Sequence, residues 1–260
     1  MCTFGAYYPH TFDWIISNRD RRIEPIIYTV MRLELDWDDD AFVEETLKNK
    51  PPSFFAQHVK ALCITGVHPV ETLRLMSMCE GVVNFACWAG TDTGESAILP
   101  ALSSFRRLQR LTMNFEMVFD GPPNFSLPLF AEITHLEVLD LPSWWDQWTG
   151  FELLSNLTHL AFYSWDAYEE TTDVLRHILL NCKSLQFLVF VYVEFHFPSD
   201  SQRLDDELDD PRVVFIPVNF PITKDWEDGA RGGTQGVWVR AEKKVAEKQR
   251  RGESVNCLGS

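Results

Sequence analysis

The sequence is poor in basic residues. Its 260 residues include 23 lysines and arginines against 38 aspartates and glutamates, which gives a formal net charge of −15 and an isoelectric point of about 4.8. Binding to nucleic acid or to an anionic membrane surface depends on clustered lysine and arginine side chains. The composition therefore predicts that the partner is neither a nucleic acid nor a membrane.

Secretory and membrane signals are also missing. The segment from Met1 to Gly5 has no basic region followed by an apolar stretch, and no apolar run reaches the ~18 residues of a membrane helix. The six cysteines form no Cys-x-x-Cys pair, and Cys63, Cys87 and Cys182 lie within apolar runs. We expect buried free thiols in a reducing compartment, which places the protein in the cytoplasm or the nucleus.

Motifs of metal and catalytic sites are absent as well. The sequence contains no His-Glu-x-x-His pair and no Gly-x-Ser-x-Gly elbow. The acidic stretch from Asp36 starts like a calcium loop, but Ala41 and Leu47 stand where glycine and a bidentate glutamate are needed. The sequence thus predicts no metal, no cofactor and no catalytic residue. The alternative that stays open is an α/β enzyme of hydrolase type, with a site assembled from distant positions.

What the sequence does contain is a repeat. An apolar residue, two variable residues, an apolar residue, one variable residue and an apolar residue recur eight times, as in Leu108/Leu111/Met113. The first positions 30, 59, 82, 108, 136, 157, 185 and 213 give intervals of 29, 23, 26, 28, 21, 28 and 28 residues. Leucine-rich repeats have a period of about 20 to 29 residues. Each copy predicts a short strand in the register of these positions.

The segments between the copies predict return helices. Residues 172–182 place Val174, Leu175, Ile178 and Leu179 on one face, and residues 69–79 place Val70, Leu73 and Met76 on one face. The predicted fold class is α/β, an irregular leucine-rich-repeat solenoid with parallel strands on its concave side and helices on its convex side. A three-layer α/β domain with a parallel sheet is the alternative architecture.

The repeat lacks one feature of the standard motif. Asparagine or cysteine usually follows the last apolar residue of the strand by three positions, and no copy carries either one there. The residues found at six of these positions are Val67, Gly90, Glu116, Trp144, Trp165 and Val193. We therefore expect irregular repeats without an asparagine ladder.

Both ends of the stack predict caps, because a solenoid must cover its open ends. Residues 12–22 predict an N-terminal capping helix. Residues 234–251 predict a C-terminal helix with Trp238, Ala241 and Val245 as its apolar stripe, and with Lys244 and Lys248 among the cations that face solvent. The predicted organisation is a solenoid with its N-terminal cap over residues 1–220, a C-terminal capping segment and helix over 221–251, and a disordered tail over 252–260.

Several stretches resemble a known family. They are Arg21–Tyr28 (RRIEPIIY), Lys50–Val59 (KPPSFFAQHV), Gly81–Trp88 (GVVNFACW), Asp210–Pro217 (DPRVVFIP), Asp225–Gly233 (DWEDGARGG) and Trp238. Together they are similar to the F-box-like leucine-rich-repeat proteins of mushroom-forming fungi, over about residues 21–245. The resemblance implies a repeat domain that holds a substrate protein for a cullin-type ubiquitin ligase. No F-box opening of the form Leu-Pro-x-Glu precedes Arg21.

A partner is expected on the concave sheet face and its rim, since solenoids bind there. Strand residues between the inward apolar positions, and those just after each strand, face that surface. The predicted partner-binding residues are Trp88, Arg110, Asn114, Asp140, Trp145, His159, Tyr163 and Phe187. The cluster Trp144–Trp148 has two interpretations, a core contact that replaces the missing ladder or an exposed aromatic anchor on the rim. The acidic run 205–210 predicts a solvated loop.

Overall fold

Strands and helices alternate along most of the chain. A computed structural model describes residues 26, 28–34, 48, 50–67, 69–88, 98–139, 145–164, 171–192, 198–218 and 221–258. The predicted N-terminal helix over residues 12–22 lies outside these ranges. The same holds for Asp140 and Trp144.

The fold is α/β. The strands are β1 Val30–Glu34, β2 Ala61–Thr65, β3 Asn84–Cys87, β4 Arg110–Asn114, β5 His135–Leu139, β6 His159–Ser164, β7 Phe187–Tyr192 and β8 Val213–Pro217. The described helices are α1 Pro52–His58, α2 Pro69–Met78, α3 Ile98–Leu102, α4 Thr171–Asn181, α5 Pro198–Leu208, α6 Ile222–Ala230 and α7 Val237–Leu258. Short 3₁₀ turns lie between β4 and β5 and between β5 and β6.

The strands form one open parallel sheet whose order follows the chain, from β1 to β8. All seven neighbouring pairs are parallel. Every connection therefore leads to the adjacent strand, unlike in a doubly wound sheet, where the strand order reverses. Each strand–return unit contacts the next unit along the chain.

One face of the sheet, here called the outer face, carries the five described helices that connect strands. Leu62, Leu111 and Leu160 point into the same apolar cluster as Phe55 of α1 and Leu175 of α4. Residues of α2, α3 and α5 belong to that cluster too. Buried side chains of this kind contribute about 1.5–3 kcal/mol each, so this cluster is the main source of stability.

The opposite face, here called the inner face, is covered by the last two helices. Val237, Ala241 and Val245 of α7 pack on the inner side of β5–β8, and Trp226 of α6 packs on that of β1–β3. Helix α6 contacts β1 and β2, and α7 contacts β7 and β8. The C-terminal segment therefore lies across the sheet face, where the sequence predicts a cap over the end of the stack.

The two helices reach both edges of the sheet. Helix α6 contacts β1, α7 contacts β8, and the two helices contact each other.

Three of the eight predicted strand registers are wrong. In the observed strand pairing, Met31, Leu136 and Val213 lie opposite Leu62, Leu111 and Leu188, respectively. The latter three are the middle apolar positions of correctly assigned copies. The copies assigned to Val30/Leu33/Leu35, Leu136/Leu139/Leu141 and Val213/Ile216/Val218 are thus shifted by two or three residues. Helices α6 and α7 bury the inner face of the sheet as well. A strand buried on both faces is apolar at consecutive positions, so its sequence fits more than one register.

The predicted helices are found with small differences. Helix α4 buries Val174, Leu175, Ile178 and Leu179 as predicted. In α2 the prediction for Val70 is wrong: this side chain is 63% exposed, and the buried face is formed by Thr72, Leu75 and Met76. The acidic run 205–210 was predicted as a loop but begins within α5, and α7 continues to Leu258, beyond Arg251.

Cys63, Cys79, Cys87 and Cys182 are buried and form no disulfide, as predicted for Cys63, Cys87 and Cys182. Burial raises the pKa of Cys79 to about 12 and, together with the charge of Glu152, that of Cys182 to about 12. Such thiols stay protonated at neutral pH and are unreactive.

Candidate functional site

The inner face carries a row of stacked rings at the start of neighbouring strands. In the register of the sheet, Arg110, His135, His159 and Phe187 lie side by side on β4–β7. The rings of His135 and His159 stack with centroids 3.9 Å apart, and those of His159 and Phe187 with centroids 4.5 Å apart. Strand spacing explains this, because in-register side chains of adjacent strands are ~4.8 Å apart. The indole of Trp238 in α7 meets both imidazoles edge-on.

Both imidazoles are held neutral. Burial, the other imidazole and the charge of Arg110 lower the pKa of His135 to about 3, and burial and Arg110 lower that of His159 to about 4. The Nδ1 atoms lie 2.9 Å and 2.7 Å from the hydroxyls of the preceding Thr134 and Thr158. These hydroxyls donate to backbone carbonyls, so each Nδ1 carries the hydrogen. The approach of Glu242 to His159 Nε2 at 4.0 Å is therefore not an ion pair at neutral pH.

This neutral pair predicts a loss of stability in acid. The folded protein disfavours protonation of His135, whereas the unfolded chain protonates it near its ordinary pKa of 6.5. Stability is therefore full above pH 6.5 and falls as the pH drops towards 3. Between pH 7 and pH 4, the free energy of unfolding of His135→Gln should fall by about 1–2 kcal/mol less than that of the parent, as measured by urea titrations. The exposed His177→Gln is the control, and an unchanged pH slope in His135→Gln would contradict the prediction.

A buried carboxyl lies in the next row of the inner face. The hydroxyl of Tyr163 donates to Glu137 Oε2 at 3.2 Å, and the indole of Trp238 donates to the same carboxyl group. Burial is the main cause that raises the pKa of Glu137 to about 7, and the charge of Asp225 raises it further. Burial and the charge of Glu137 raise the pKa of Tyr163 well above its ordinary value. Glu137 is thus half protonated near neutral pH.

The second buried carboxylate, Asp225 of α6, is paired. Arg240 of α7 donates to Asp225 Oδ2 at 2.8 Å, and the Asp225 side chain is only 4% exposed. Arg240 also donates to the carbonyl of Pro217 in β8 at 2.7 Å. One guanidinium therefore joins α6, α7 and the edge strand.

Helix α7 runs along the open edge of the sheet at β8. The carbonyl of Arg212 and the amide of Val218 bond to β7, so alternation turns the carbonyls of Val213, Phe215 and Pro217 outward. Three cations of α7 donate to these outward carbonyls, namely Lys248 to Val213 at 3.1 Å, Lys244 to Phe215 at 2.6 Å and Arg240 to Pro217 at 2.7 Å.

The spacing of the three cations along α7 matches the spacing of the outward carbonyls along β8. Four residues of a helix rise about 6 Å, and two residues of a strand span about 6.6 Å, so one cation per turn meets every second carbonyl. Proline at the outward position 217 has no N–H to leave unpaired. Lys244 is exposed, as predicted, and Lys248 is half-buried, but both side chains also bond to the edge strand, which the sequence did not indicate. Unpaired edges are sites of aggregation, and these cations cover this one.

Removing two of the cations should uncover the edge. We expect Lys244→Met with Lys248→Met to cost about 1–3 kcal/mol, since two charge-assisted hydrogen bonds are lost. Concentration-dependent association through β8 should accompany the loss, measured by light scattering below the melting temperature. Lys243→Met removes an exposed cation of the same helix and should leave both properties unchanged. A double variant that stays monomeric would show that the cations do not protect the edge.

The other edge is held by α6. Arg231 donates to the outward carbonyl of Val30 in β1 at 3.2 Å. Arg32 of β1 lies 3.2 Å from the carboxylate of Glu227 and donates to the hydroxyl of Thr223. The two C-terminal helices thus connect both edges of the sheet.

The structure brings several predicted partner-binding residues together beneath these helices. Tyr163 is buried against α7, Phe187 is partly buried in the same cluster, and His159 lies under Trp238. Trp88 packs partly buried between the α6 and α7 clusters, and Arg110 continues the ring row.

The remaining predicted residues lie elsewhere. The side chain of Asn114 accepts from the amide of Glu116 at 2.9 Å and caps a 3₁₀ turn. Trp145 is 3% exposed and packs on Phe162 in the outer cluster, and Trp148 stacks on Phe115 there. The core interpretation is thus confirmed for Trp148. The prediction that Trp145 binds a partner at the rim is wrong, because its side chain is buried in the outer cluster.

Sequence reasoning missed Glu137, Asp225 and Arg240 as parts of this face. Glu137 had one available signal, since a carboxylate between the apolar residues Leu136 and Val138 of a strand needs a partner on the other face.

No three His, Cys, Asp or Glu side chains within the described ranges are placed to hold a metal ion. In the same part of the chain, no helix has the length and apolarity needed to cross a membrane. No protein-family model, no curated protein and no solved structure matches the chain significantly.

Proposed function

We propose that the chain is a leucine-rich-repeat solenoid that serves as a protein-interaction scaffold. The observation that carries this proposal is the order of the eight strands, which follows the chain, with the connecting helices of the described ranges on one face. Stacks of this kind leave the opposite, concave face free of connections and use it for binding. Substrate recognition for a cullin-type ubiquitin ligase is the specific role that the family resemblance implies.

The corrected register supports the repeat. Val59, Val82, Leu108, Ile133, Leu157 and Leu185 each stand three residues before a paired apolar position, and all six point into the outer cluster. With Tyr28 and Asp210 at the equivalent places, the first positions 28, 59, 82, 108, 133, 157, 185 and 210 are separated by 23 to 31 residues. Six of the seven intervals lie within the period of about 20 to 29 residues of leucine-rich repeats, and the first, from 28 to 59, is longer at 31 residues.

Side chains from successive turns take over part of the role of the missing asparagines. Asn156 donates to the carbonyl of Ala131 one repeat earlier, and Ser184 donates to that of Ser155. Thr134 and Thr158 donate to the carbonyls of Gln109 and Thr134 in the same way. These bonds satisfy turn backbone with different side chains in different repeats, which suits an irregular solenoid.

The proposal is tested by affinity purification of the full chain with mass spectrometry. Recovery of cullin-ligase subunits with a substrate protein would support the ligase role, and recovery of other proteins alone would support a scaffold without that role. Leu136→Asp, which buries a charge in the outer cluster, is the unfolded control. Recovery of the same proteins with this control, or of none with the parent, would contradict the scaffold.

A second candidate is an α/β enzyme of hydrolase type. The observation that favours it is the convergence of Glu137, Tyr163, His135 and His159 on the inner face, with a carboxyl pKa near 7. Such a carboxyl suits general acid–base chemistry at neutral pH. Turnover of ester or glycoside substrates by the parent that is lost in Glu137→Gln would favour the enzyme. No turnover by the parent would leave the scaffold as the function.

A further inference from the structure

Arg110 of β4 differs from other cations of the inner face. Arg32, Arg231 and Arg240 each pair with a carboxylate of α6. Within the described ranges, neither a hydrogen bond nor an ion pair reaches the guanidinium of Arg110. The residue is half-buried, and a charge that is withdrawn from water without a partner is costly. The fold therefore leaves the donors of this guanidinium unused.

The neighbours of Arg110 along the row carry no charge. They are Asn84 on β3 and His135 on β5, which pair with β4 in register. The side-chain amide of Asn84 makes no hydrogen bond to the part of the chain that the structure describes, and His135 is held neutral. Glu137 lies in the next row, where its Oε2 accepts from Tyr163. The positive charge of Arg110 thus stays uncompensated, and it contributes to the low pKa of His135.

The row that contains Arg110 is the accessible rim of the inner face. Thr112, the next residue on the same side of β4, is 1% exposed, whereas Asn84, Arg110 and His135 are half-buried. Helix α6 contacts β1 and β2, and α7 contacts β7 and β8, so β4 lies between the strands that they hold. A group from outside can therefore reach the guanidinium while both helices stay in place.

We propose that Asn84, Arg110 and His135 form a binding site for the carboxylate of a glutamate or aspartate side chain on a partner protein. A guanidinium donates to both oxygens of a carboxylate at once, and the amide of Asn84 supplies a further donor. One carboxylate matches the single charge of Arg110. A phosphate group would bring about two negative charges into a chain whose net charge is −15. This inference rests on the proposed scaffold function and names the chemistry of its partner.

The rings beside Arg110 favour a side chain over a chain end as the source of the carboxylate. The imidazole of His135 stacks on that of His159, and Trp238 meets both rings edge-on. The methylene groups of a glutamate can lie against these rings. A C-terminal carboxylate would bring a backbone amide next to them, and the rings would leave that amide without a hydrogen bond.

The thermal stability of Arg110→Gln distinguishes a binding role from a structural one. No acceptor within the described ranges loses a bond in this variant, so it should melt no lower than the parent in calorimetry. Arg107→Gln removes an exposed arginine three residues earlier and is the matched control. A lower melting temperature of Arg110→Gln alone would show that the guanidinium is part of the fold and would contradict the inference.

Binding is measured by NMR titration of the full chain with N-acetyl-glutamate N-methylamide. We expect saturable shifts of the side-chain signals of Asn84 and His135 in the parent, and an affinity at least ~10-fold lower in Arg110→Gln, because charge-assisted hydrogen bonds are lost. Arg110→Lys keeps the charge without the two-pronged geometry and should bind several-fold less tightly than the parent. Arg107→Gln should bind like the parent, and the neutral glutamine analogue of the probe should not bind.

Three results would overturn the inference. The first is a folded parent that does not bind the probe, and the second is equal binding by the parent and Arg110→Gln. The third is N-acetyl-alanine with a free carboxylate binding as tightly as the glutamate probe, since the source would then be a chain end. Partner recovery separates this inference from the scaffold. Partners recovered equally by the parent and Arg110→Gln contradict the carboxylate site alone, whereas no recovery by the parent contradicts the scaffold.

Discussion

Replacing Glu137 with Gln is expected to raise the free energy of unfolding by about 3 kcal/mol at pH 8, because each unit of pKa shift corresponds to about 1.4 kcal/mol. The folded state raises the pKa of this carboxyl from 4.5 to about 7, so it favours the protonated form. The stability that protonation supplies is full below pH 4.5 and is lost as the pH rises to 7. At pH 8 the parent contains a buried carboxylate beside Asp225, and the neutral amide removes that cost.

The pH dependence separates this effect from a general change in packing. At pH 4.5 the parent is already protonated, so the two proteins should differ by less than about 0.5 kcal/mol in urea titrations. Glu132→Gln, an exchange of the same kind at an exposed position, should match the parent at both values. An equal difference between parent and Glu137→Gln at pH 4.5 and pH 8 would contradict the assigned environment of this carboxyl.

Arg240→Met should have the largest opposite effect. It removes the guanidinium that bonds to the buried Asp225 carboxylate near Glu137, and removal of one partner from a buried ion pair costs about 3–5 kcal/mol. The pair is otherwise shielded from solvent, with side chains 18% and 4% exposed. We expect a fall in melting temperature of several degrees, measured by calorimetry at pH 7.

A double variant tests the cause of that loss. Asp225→Asn in the Arg240→Met background removes the buried negative charge and should recover most of the stability. Arg203→Met breaks an exposed ion pair with Glu207 and should cost less than about 1 kcal/mol. If the double variant were as unstable as Arg240→Met alone, the loss would come from packing or from the bond to Pro217.

The sequence was sufficient to predict parallel strands, return helices and the position of most repeats. Regular burial on the outer face makes Leu111 and Leu160 recognisable, because the inward-facing residues that follow them, Thr112 and Ala161, are polar or small. The register predicted from this pattern was wrong at Leu139 and Ile216. Both are apolar because α7 covers them, and the pattern then fits two registers equally well.

The contacts across the inner face could not be predicted from the sequence. Periodicity identified the stripe Trp238, Ala241 and Val245 but carries no information about the surface that it covers. Tyr163 and Phe187 were correctly placed on the inner side, yet their burial depends on a segment more than 50 residues later in the chain. Pairing between such distant segments depends on the tertiary fold, which local patterns do not encode.

The bonds that join the two edges of the sheet also order events during synthesis. Arg32 bonds to Thr223, 191 residues later, and Val30 accepts a bond from Arg231, 201 residues later. Chains fold from the N-terminus as they emerge from the ribosome, so all eight strands can stack before α6 and α7 exist. During that interval the ring row, the buried carboxyl and both strand edges face water. Translation that stops before residue 237 would release a protein whose repeats are complete and whose β8 edge is permanently unprotected.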